Sequence, residues 1–409
     1  MSALMRRPSY AYPRAAMRVL AVGTMYPPES LGGYEALWRD VTGHLRGRGH
    51  EVRVLATDYR NPGRDPAAPD DPDVRRELRW YWRDHGFPRI GWRARIALER
   101  HNASVLERHV ADLEPDVVCW WALGGLSVGL VERVRRAGLP AVGVVGDDWM
   151  AYAPRFDAWH HGTRRAPALA ERLTGLPASV DLGGAAHWIC ISETVRARAL
   201  RAAGALPRAQ VAHPGVDPAR FAPVAPAAWR GELLYCGRID PRKGIGTAVE
   251  ALVELDGARL TIDGGGDEAH ATELRALAAR LGVAERVVFT VSDPADVPAA
   301  YARADAVVFP VTWREPWGLV PLEAMAVGRP VIATGRGGSG EYLRDEENCL
   351  IFAAGDAAAL AAAVDRLAGD EVLRERLRAD GAATAARFPA QAFSDAVERA
   401  LEAAAARRR

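Results

Sequence analysis

Six short apolar runs recur through the second half of the chain: Leu233 to Cys236, Arg259 to Ile262, Val287 to Thr290, Ala306 to Phe309, Pro330 to Ala333 and Cys349 to Phe352. Helical stretches lie between most of them. Runs this short and this apolar read as strands buried on both faces. Strands that alternate with helices pair in parallel, because each connection must cross back over the sheet. The first half follows the same plan. Met17 to Val22 reads as a strand, followed by Pro27-Pro-Glu-Ser-Leu-Gly-Gly-Tyr-Glu35, a helix to about Arg48, and a second strand in Gly49-His-Glu-Val-Arg-Val-Leu-Ala56. Further strands read up to Val118, at Ala141 to Val145 and at Trp188 to Ile191. The expected fold class is α/β, with two Rossmann-like doubly wound domains facing across a cleft.

Length and charge narrow the function. A chain of 409 residues needs more than one ordinary domain. We expect an N-terminal extension over 1–16, a first domain over 17–212, a linker over 213–231, a second domain over 232–385 and a C-terminal helix over 386–409. His213-Pro-Gly-Val-Asp217 and the proline-rich 218–226 mark the linker. A net charge of +1 gives no general case for nucleic acid as a partner. Cys119, Cys190, Cys236 and Cys349 are far apart and lack metal-ligand spacing, and His160-His161 has no companion ligands. The first residues have no apolar core, and the longest uncharged run, Val117 to Val131, is short for a membrane span and contains Gly124-Gly125. The expected compartment is the cytoplasm.

Of 53 basic residues, Lys243 is the only lysine. A site that keeps a lysine against this bias points to a compact ammonium that a guanidinium would not replace. Lys243 lies in Gly237-Arg238-Ile-Asp-Pro-Arg-Lys243-Gly244, directly after a strand, where Arg238 and Lys243 are placed to meet a diphosphate. The next strand runs into Asp263-Gly264-Gly-Gly-Asp267, a turn that lets backbone and ligand approach closely. A third segment, Trp313-Arg-Glu315-Pro-Trp317-Gly318-Leu319-Val320-Pro-Leu-Glu323, follows the strand ending near Phe309 and opens a helix. Its first amides are a seat for an anion. Carboxylates beside an anion repel it, so Glu315 and Glu323 read as acceptors for neutral hydroxyls. A ligand with phosphates in the middle and hydroxyls at both ends is a nucleotide-sugar.

These motifs resemble the retaining GT-B glycosyltransferases of family 4, the glycosyl transferases group 1. The resemblance rests on Glu315-Pro-Trp-Gly-x4-Glu323-Ala-Met-Ala-x-Gly-x-Pro-Val-Ile-Ala with Gly237-Arg238 and Lys243-Gly244. Gly32-Gly33, Gly49-His50-Glu51-Val52, Pro214-Gly-Val-Asp217 with Phe221, and Gly337-Gly338 with Glu341-Tyr342 match as well. It runs from Met17 to about residue 390. It implies the GT-B architecture, with the C-terminal helix crossing back onto the first domain. It implies that Arg238 and Lys243 neutralise the donor diphosphate and that Glu315 holds the donor sugar, these three being the catalytic set. On the donor-binding side it implies Gly32 and Gly33, Gly264, backbone near Thr290 to Ser292, Trp317, the amides around Gly318, Leu319 and Val320, and Glu323 on the ribose. It implies a nucleotide-diphosphate-sugar donor such as a UDP- or GDP-sugar, acting as co-substrate, and no requirement for a metal. Relatives often carry a His where this chain reads Gly146-Asp147-Asp148, a Gly near Ser292 and a Gly at Cys349.

The acceptor side is read from composition and position. Asp147 and Asp148 end a strand where open α/β folds bind ligands, although capping of the next segment explains them equally. Residues 75–100 hold eight arginines against Glu77, Asp84 and Glu99, with Trp80, Tyr81, Trp82, Phe87 and Trp92 between. They read either as an acceptor or peripheral inner-membrane contact, or as a buried strand face followed by a solvated helix. Trp80, Trp82, Asp147, Asp148 and Trp149 are the acceptor-side candidates; the acceptor itself, a small molecule or lipid-linked group, is unspecified. A GT-B sugar-nucleotide epimerase and a non-catalytic nucleotide-sugar-binding protein are the alternatives. The first has no use for an open acceptor groove, and the second has none for the full set Arg238, Lys243, Glu315 and Glu323.

Overall fold

The computed structural model describes residues 16–30, 32–61, 71–82 and 86–407. Residues 1–15 of the expected extension over 1–16, most of the Pro- and Asp-rich stretch from Asn61 to Asp73, and Asp84 lie outside the described residues. The first sheet has strands β1 (Arg18–Val22), β2 (Glu51–Thr57), β3 (Val74–Leu78), β4 (Val117–Trp120), β5 (Ala141–Val145), β6 (His187–Cys190) and β7 (Ala209–Val211). The second has β8 (Glu232–Cys236), β9 (Arg259–Asp263), β10 (Val287–Thr290), β11 (Ala306–Phe309), β12 (Val331–Ala333) and β13 (Leu350–Ile351). Their orders are β3-β2-β1-β4-β5-β6-β7 and β10-β9-β8-β11-β12-β13. All pairings are parallel. Central strands β4, β5 and β11 are buried along their whole length, as helices covering both faces require. The edge strand β3 instead carries Arg75, Arg76 and Glu77 between its buried ends, charges that protect an open edge.

Each sheet reverses its winding beside its first strand, at β1/β4 and at β8/β11. Ligands of doubly wound sheets bind beyond the strand C-termini at such a reversal. Both sheets therefore bring their site-bearing turns to the cleft.

The chain crosses between domains twice, and the two crossings pair. Val216 donates its N–H to Phe388 O at 2.9 Å and accepts from Ala390 N–H at 2.9 Å. The C-terminal helix Ala390–Ala406 then packs onto the first domain, burying Phe393, Val397 and Leu401 against β4, β5, β6 and the helix Gly33–Gly47. Its buried Glu398 accepts from His44 Nε2 at 2.9 Å, His50 Nε2 at 3.2 Å and Arg48 Nε at 3.4 Å. His50 Nδ1 accepts the Met17 N–H at 3.1 Å, which assigns the ring proton to Nε2 and aims it at Glu398. Burial opposes ionisation of Glu398, but the hydrogen bonds from His44, His50 and Arg48 outweigh it and hold its pKa near 2. The groups whose spacing would suit a metal ion among the described residues, His44/Asp395/Glu398 and His50/Glu398/Glu402, belong to this helix dock.

Candidate active site

The turn after β8 is rigid by its own hydrogen bonds. Asp240 caps the short 3-10 turn Pro241–Lys243 by accepting the Arg242 N–H at 2.9 Å. Its carboxylate also takes the Arg242 guanidinium at 2.9 and 2.6 Å and lies 3.5 Å from Arg238. Those Arg242 bonds, against the burial that opposes them, hold Asp240 far below the usual carboxylate range. The Arg242 carbonyl accepts both the N–H and the hydroxyl of Thr312 at 3.0 Å. This ties the β8 turn to the loop after β11.

That loop and that turn meet in one cluster. Lys243 Nζ donates to Glu315 Oε2 at 2.7 Å, and the indole N–H of Trp313 donates to the same oxygen at 2.7 Å. Arg242 lies 4.5 Å and Lys243 5.5 Å from the Trp313 ring centroid. Both partners of the ion pair are largely buried, at 15% and 12% side-chain exposure, so solvent screens the pair little. The bracing role of Trp313 has no local sequence signature, because it depends on Lys243, 70 positions away, the distance at which Thr312 also meets Arg242.

The loop rests on the Gly337-Gly338 turn. Gly338 N–H donates to Glu315 O at 2.7 Å, and a Cβ on Gly338 would stand 2.0 Å from Pro316 O. Gly318 follows, and the helix Leu319–Val327 begins with no side-chain cap. The expected seat for phosphate, the Leu319 and Val320 amides, is thus left without a protein cap. Glu323, one turn in, accepts the Tyr301 hydroxyl at 2.7 Å, and burial raises its pKa against that bond.

Some expected donor groups are placed differently. Trp317 is buried, stacked on His213 at 4.3 Å and packed on Phe388 at 5.3 Å, with its indole N–H on Pro214 O at 2.9 Å. Its ring belongs to the interdomain crossing, so only its backbone is available to a donor. Gly264 is needed because a Cβ there would stand 2.2 Å from Gly237 O; the close approach is between two turns rather than turn and ligand. The Ser292 amide donates to Asp263 Oδ1 at 2.8 Å and is already committed. Gly32 and Gly33 have nothing within 4 Å of an added Cβ, so they front open space beside the helix Gly33–Gly47.

The first-domain wall corrects the sequence reading more. Trp149 is fully buried against Trp188 at 5.6 Å, and its indole N–H points to Val144 O at 3.4 Å. Trp80 is also buried, donating to Gly124 O at 2.7 Å. Neither ring can line a groove; β3 ends at Leu78, and the chain beyond it folds these rings inward. Trp82 is half-buried, tilted on Trp80 at 4.7 Å and edge-on to Tyr59 at 5.2 Å. Asp148 pairs with Arg198 at 2.5 Å. Asp147 accepts the Tyr152 hydroxyl at 2.8 Å and the Trp149 N–H at 2.9 Å. Burial pushes its pKa up to about 6, against those two hydrogen bonds. Asp147 also acts electrostatically on Arg242, across the cleft. Tyr34, donating to Val144 O at 2.6 Å, covers Gly146 beside it.

Residues 227–384 match the family described as "Glycosyl transferases group 1", and residues 31–220 match "Glycosyltransferase Family 4". A GDP-mannose-dependent alpha-(1-6)-phosphatidylinositol monomannoside mannosyltransferase of Mycobacterium tuberculosis is 31% identical over 395 residues, 90% of this chain and 92% of the relative. A D-inositol 3-phosphate glycosyltransferase of Acidothermus cellulolyticus is 38% identical over 201 residues, but that match spans only 45% of the relative and 44% of this chain. In structure, the sucrose-phosphate synthase of Thermosynechococcus elongatus superposes with a TM-score of 0.71 at 22% identity, covering 93% of this chain and 97% of that one. Anabaena HepE, solved in complex with UDP-glucose, gives 0.67 at 20% identity, covering 95% and 100%. At such identities the likeness is one of fold.

Proposed function

The chain belongs to the group 1 glycosyltransferases of family 4, and on that premise we propose that it moves a sugar from a nucleotide-diphosphate-sugar to an acceptor hydroxyl, with retention and without a metal. One observation carries the reading: Lys243, Arg238, Glu315 and the uncapped Leu319–Val320 amides converge at the strand ends of one domain. The donor diphosphate sits on those amides, with Arg238 as a fork and Lys243 as a point charge. The two cations carry the negative charge that grows on the departing nucleotide, the task a divalent ion would otherwise perform. As the sugar C1–O bond to phosphate breaks, the acceptor oxygen bonds C1 on the same face, and its proton leaves to the departing phosphate. Glu315 exchanges Lys243 and Trp313 for sugar hydroxyls, while Glu323 holds the ribose, braced by Tyr301.

On the acceptor side Asp147 is the group that orients the incoming hydroxyl. HepE's UDP-glucose and the mycobacterial relative's GDP-mannose support a UDP- or GDP-sugar as donor. No helix among the described residues is long and apolar enough to cross a membrane. A cytoplasmic location with peripheral membrane contact is the accompanying proposal. Phe87 and Phe156 stack at 4.2 Å, and Trp92 is 52% exposed beneath Arg95. Failure of the protein to sediment with anionic vesicles would remove that contact.

Incubation with a panel of nucleotide-sugars and acceptors, following nucleotide release and the anomeric configuration of the product, tests the main reading. Acceptor-dependent release with a retained anomer, insensitive to chelator, is expected. Inversion, or release that needs added metal, would refute the mechanism. Interconversion of the free nucleotide-sugar without acceptor would favour the epimerase.

A further inference from the structure

Two hydrogen-bonded contacts tie the first domain to the donor loop, and neither residue touches the expected donor. Ser192, between β6 and the helix Glu193–Ala203, is fully buried and donates its hydroxyl to Pro316 O at 2.6 Å. The same hydroxyl oxygen accepts the Val195 N–H at 3.0 Å and so caps its own helix. The remaining first-turn amides of that helix are satisfied from the other domain. Glu341 Oε2 accepts the Glu193 N–H at 3.0 Å, and Oε1 accepts the Thr194 N–H at 2.8 Å. A helix start leaves amides that need partners and carries partial positive charge. Here a carboxylate from the second domain meets both needs.

Glu341 closes the short Gly338–Glu341 turn, whose Gly338 supports Glu315 and Pro316. Its neighbour Tyr342 donates its hydroxyl to Gly318 O, the carbonyl immediately before the phosphate-seating helix. One dipeptide therefore holds the first domain with its carboxylate and the donor loop with its phenol. Ser192 holds the same loop at Pro316 O. If the domains part, Pro316 loses a donor, and Glu341 loses two.

We propose that Ser192 and Glu341 are positioning residues that couple closure of the two domains to the geometry of the 315–320 donor loop. The inference rests on the function proposed above for that loop. Closing the cleft completes the cap of the 193–203 helix, and that contact sets Pro316 and Gly318 where Glu315 and the Leu319–Val320 amides meet the donor. Ground-state donor binding does not require the clamp, because Arg238, Lys243 and Glu323, which lie in the second domain outside the 315–320 loop, supply most of it. Transfer to an acceptor, which needs both domains, does.

The test uses the full chain and two variants that break the same contact from opposite sides. Glu341→Ala removes the carboxylate. Glu193→Pro removes one of its two N–H partners at the first helical position, where proline is tolerated, and Ser192 before it is already extended. Each should lower kcat about tenfold with donor KM within about twofold, and the double variant should be no worse than either single one. The radius of gyration in solution, without ligand, should rise in both. Unchanged kcat and unchanged radius would overturn the clamp. So would additive losses that track a falling thermal midpoint, which mark simple helix capping. If no donor is turned over at all, the function proposed above fails, and the radius of gyration alone then decides whether the clamp exists.

Discussion

The two walls of the cleft follow one strand–turn–helix plan but treat their polar groups in opposite ways. The second-domain wall pairs its charge internally: Lys243 with Glu315, and Asp240 with Arg242 and Arg238. These pairs join turns of one domain, so the wall is assembled before any ligand arrives. The first-domain wall holds its carboxylate Asp147 with neutral hydrogen-bond donors. Asp147 is enclosed by Tyr152 and the Trp149 backbone, and the tryptophans that would make an aromatic groove are core. The contrast separates roles. A diphosphate donor needs fixed cations and amides, because preorganised charge stabilises a developing anion without reorganisation. On the proposed reading an acceptor hydroxyl needs only an oriented acceptor, the role proposed for Asp147 with its raised pKa.

The contrast breaks most sharply at Lys243. Lys243→Ala and Glu315→Ala should each lower acceptor-dependent nucleotide release by about 100-fold or more, the scale of a lost transition-state charge contact. Initial rates at saturating donor measure this, and near-normal rates in either would dissolve the donor-side assignment. Lys243→Arg should fall between, roughly tenfold down, because a planar fork does not reproduce a compact ammonium held between Glu315 and Trp313.

Asp147→Asn should cost about tenfold and change the pH response, which kcat/KM profiles will show. With the Asp147 pKa near 6, wild-type activity should drop as pH falls through 6, and the Asn variant should lack that limb. The stability sign is the opposite one. A carboxyl whose folded pKa is raised from 3.8 to about 6 favours the protonated fold, and that stabilisation is lost as pH rises through 6. Asp147→Asn should therefore melt higher than wild type at pH 7 and equally at about pH 3, below the unfolded pKa. An Asn variant with an intact acidic limb would move the acceptor-side role elsewhere.

Glu398→Ala sharpens the comparison from outside the cleft. Glu398 titrates near 2, so its contribution is present above the ordinary carboxylate pKa of 4.5 and is lost as pH falls toward 2. Removing it leaves His50 without its acceptor and should cost roughly 1–3 kcal/mol at pH 7, seen in denaturant melts, and about half that or less at pH 3. The smallest effect is expected from Tyr152→Phe. Losing a hydrogen bond to the ionised form of Asp147 should move the acidic limb upward by a few tenths of a pH unit and change kcat about twofold. An unmoved limb would show that Tyr152 does not set the Asp147 charge.

Much of the second-domain site was legible because its signals are local. A strand followed by Gly237-Arg238, and another followed by Glu315 to Gly318, place their groups at strand ends whatever the rest of the chain does. The lone lysine stood out by composition. The aromatic residues were illegible for a physical reason. Trp80, Trp149 and Trp317 carry a large apolar surface and one polar N–H, so each can be buried when a carbonyl is within reach. Gly124, Val144 and Pro214 supply those carbonyls, and none of the three pairings has a sequence signature.

The sequence alone determined the alternation of strands and helices within each domain, the turns that end those strands, and the residue types expected to hold a nucleotide-sugar. Local period and spacing encode these. Only the tertiary structure decided that Lys243 and Glu315 satisfy each other, that Trp313 braces them, and that Ser192 and Glu341 join the two domains across the donor loop. These contacts link residues 72, 2, 124 and 148 positions apart. The long-range ones depend on which turns the folded sheets bring together, and even the short one depends on where Glu315 is held.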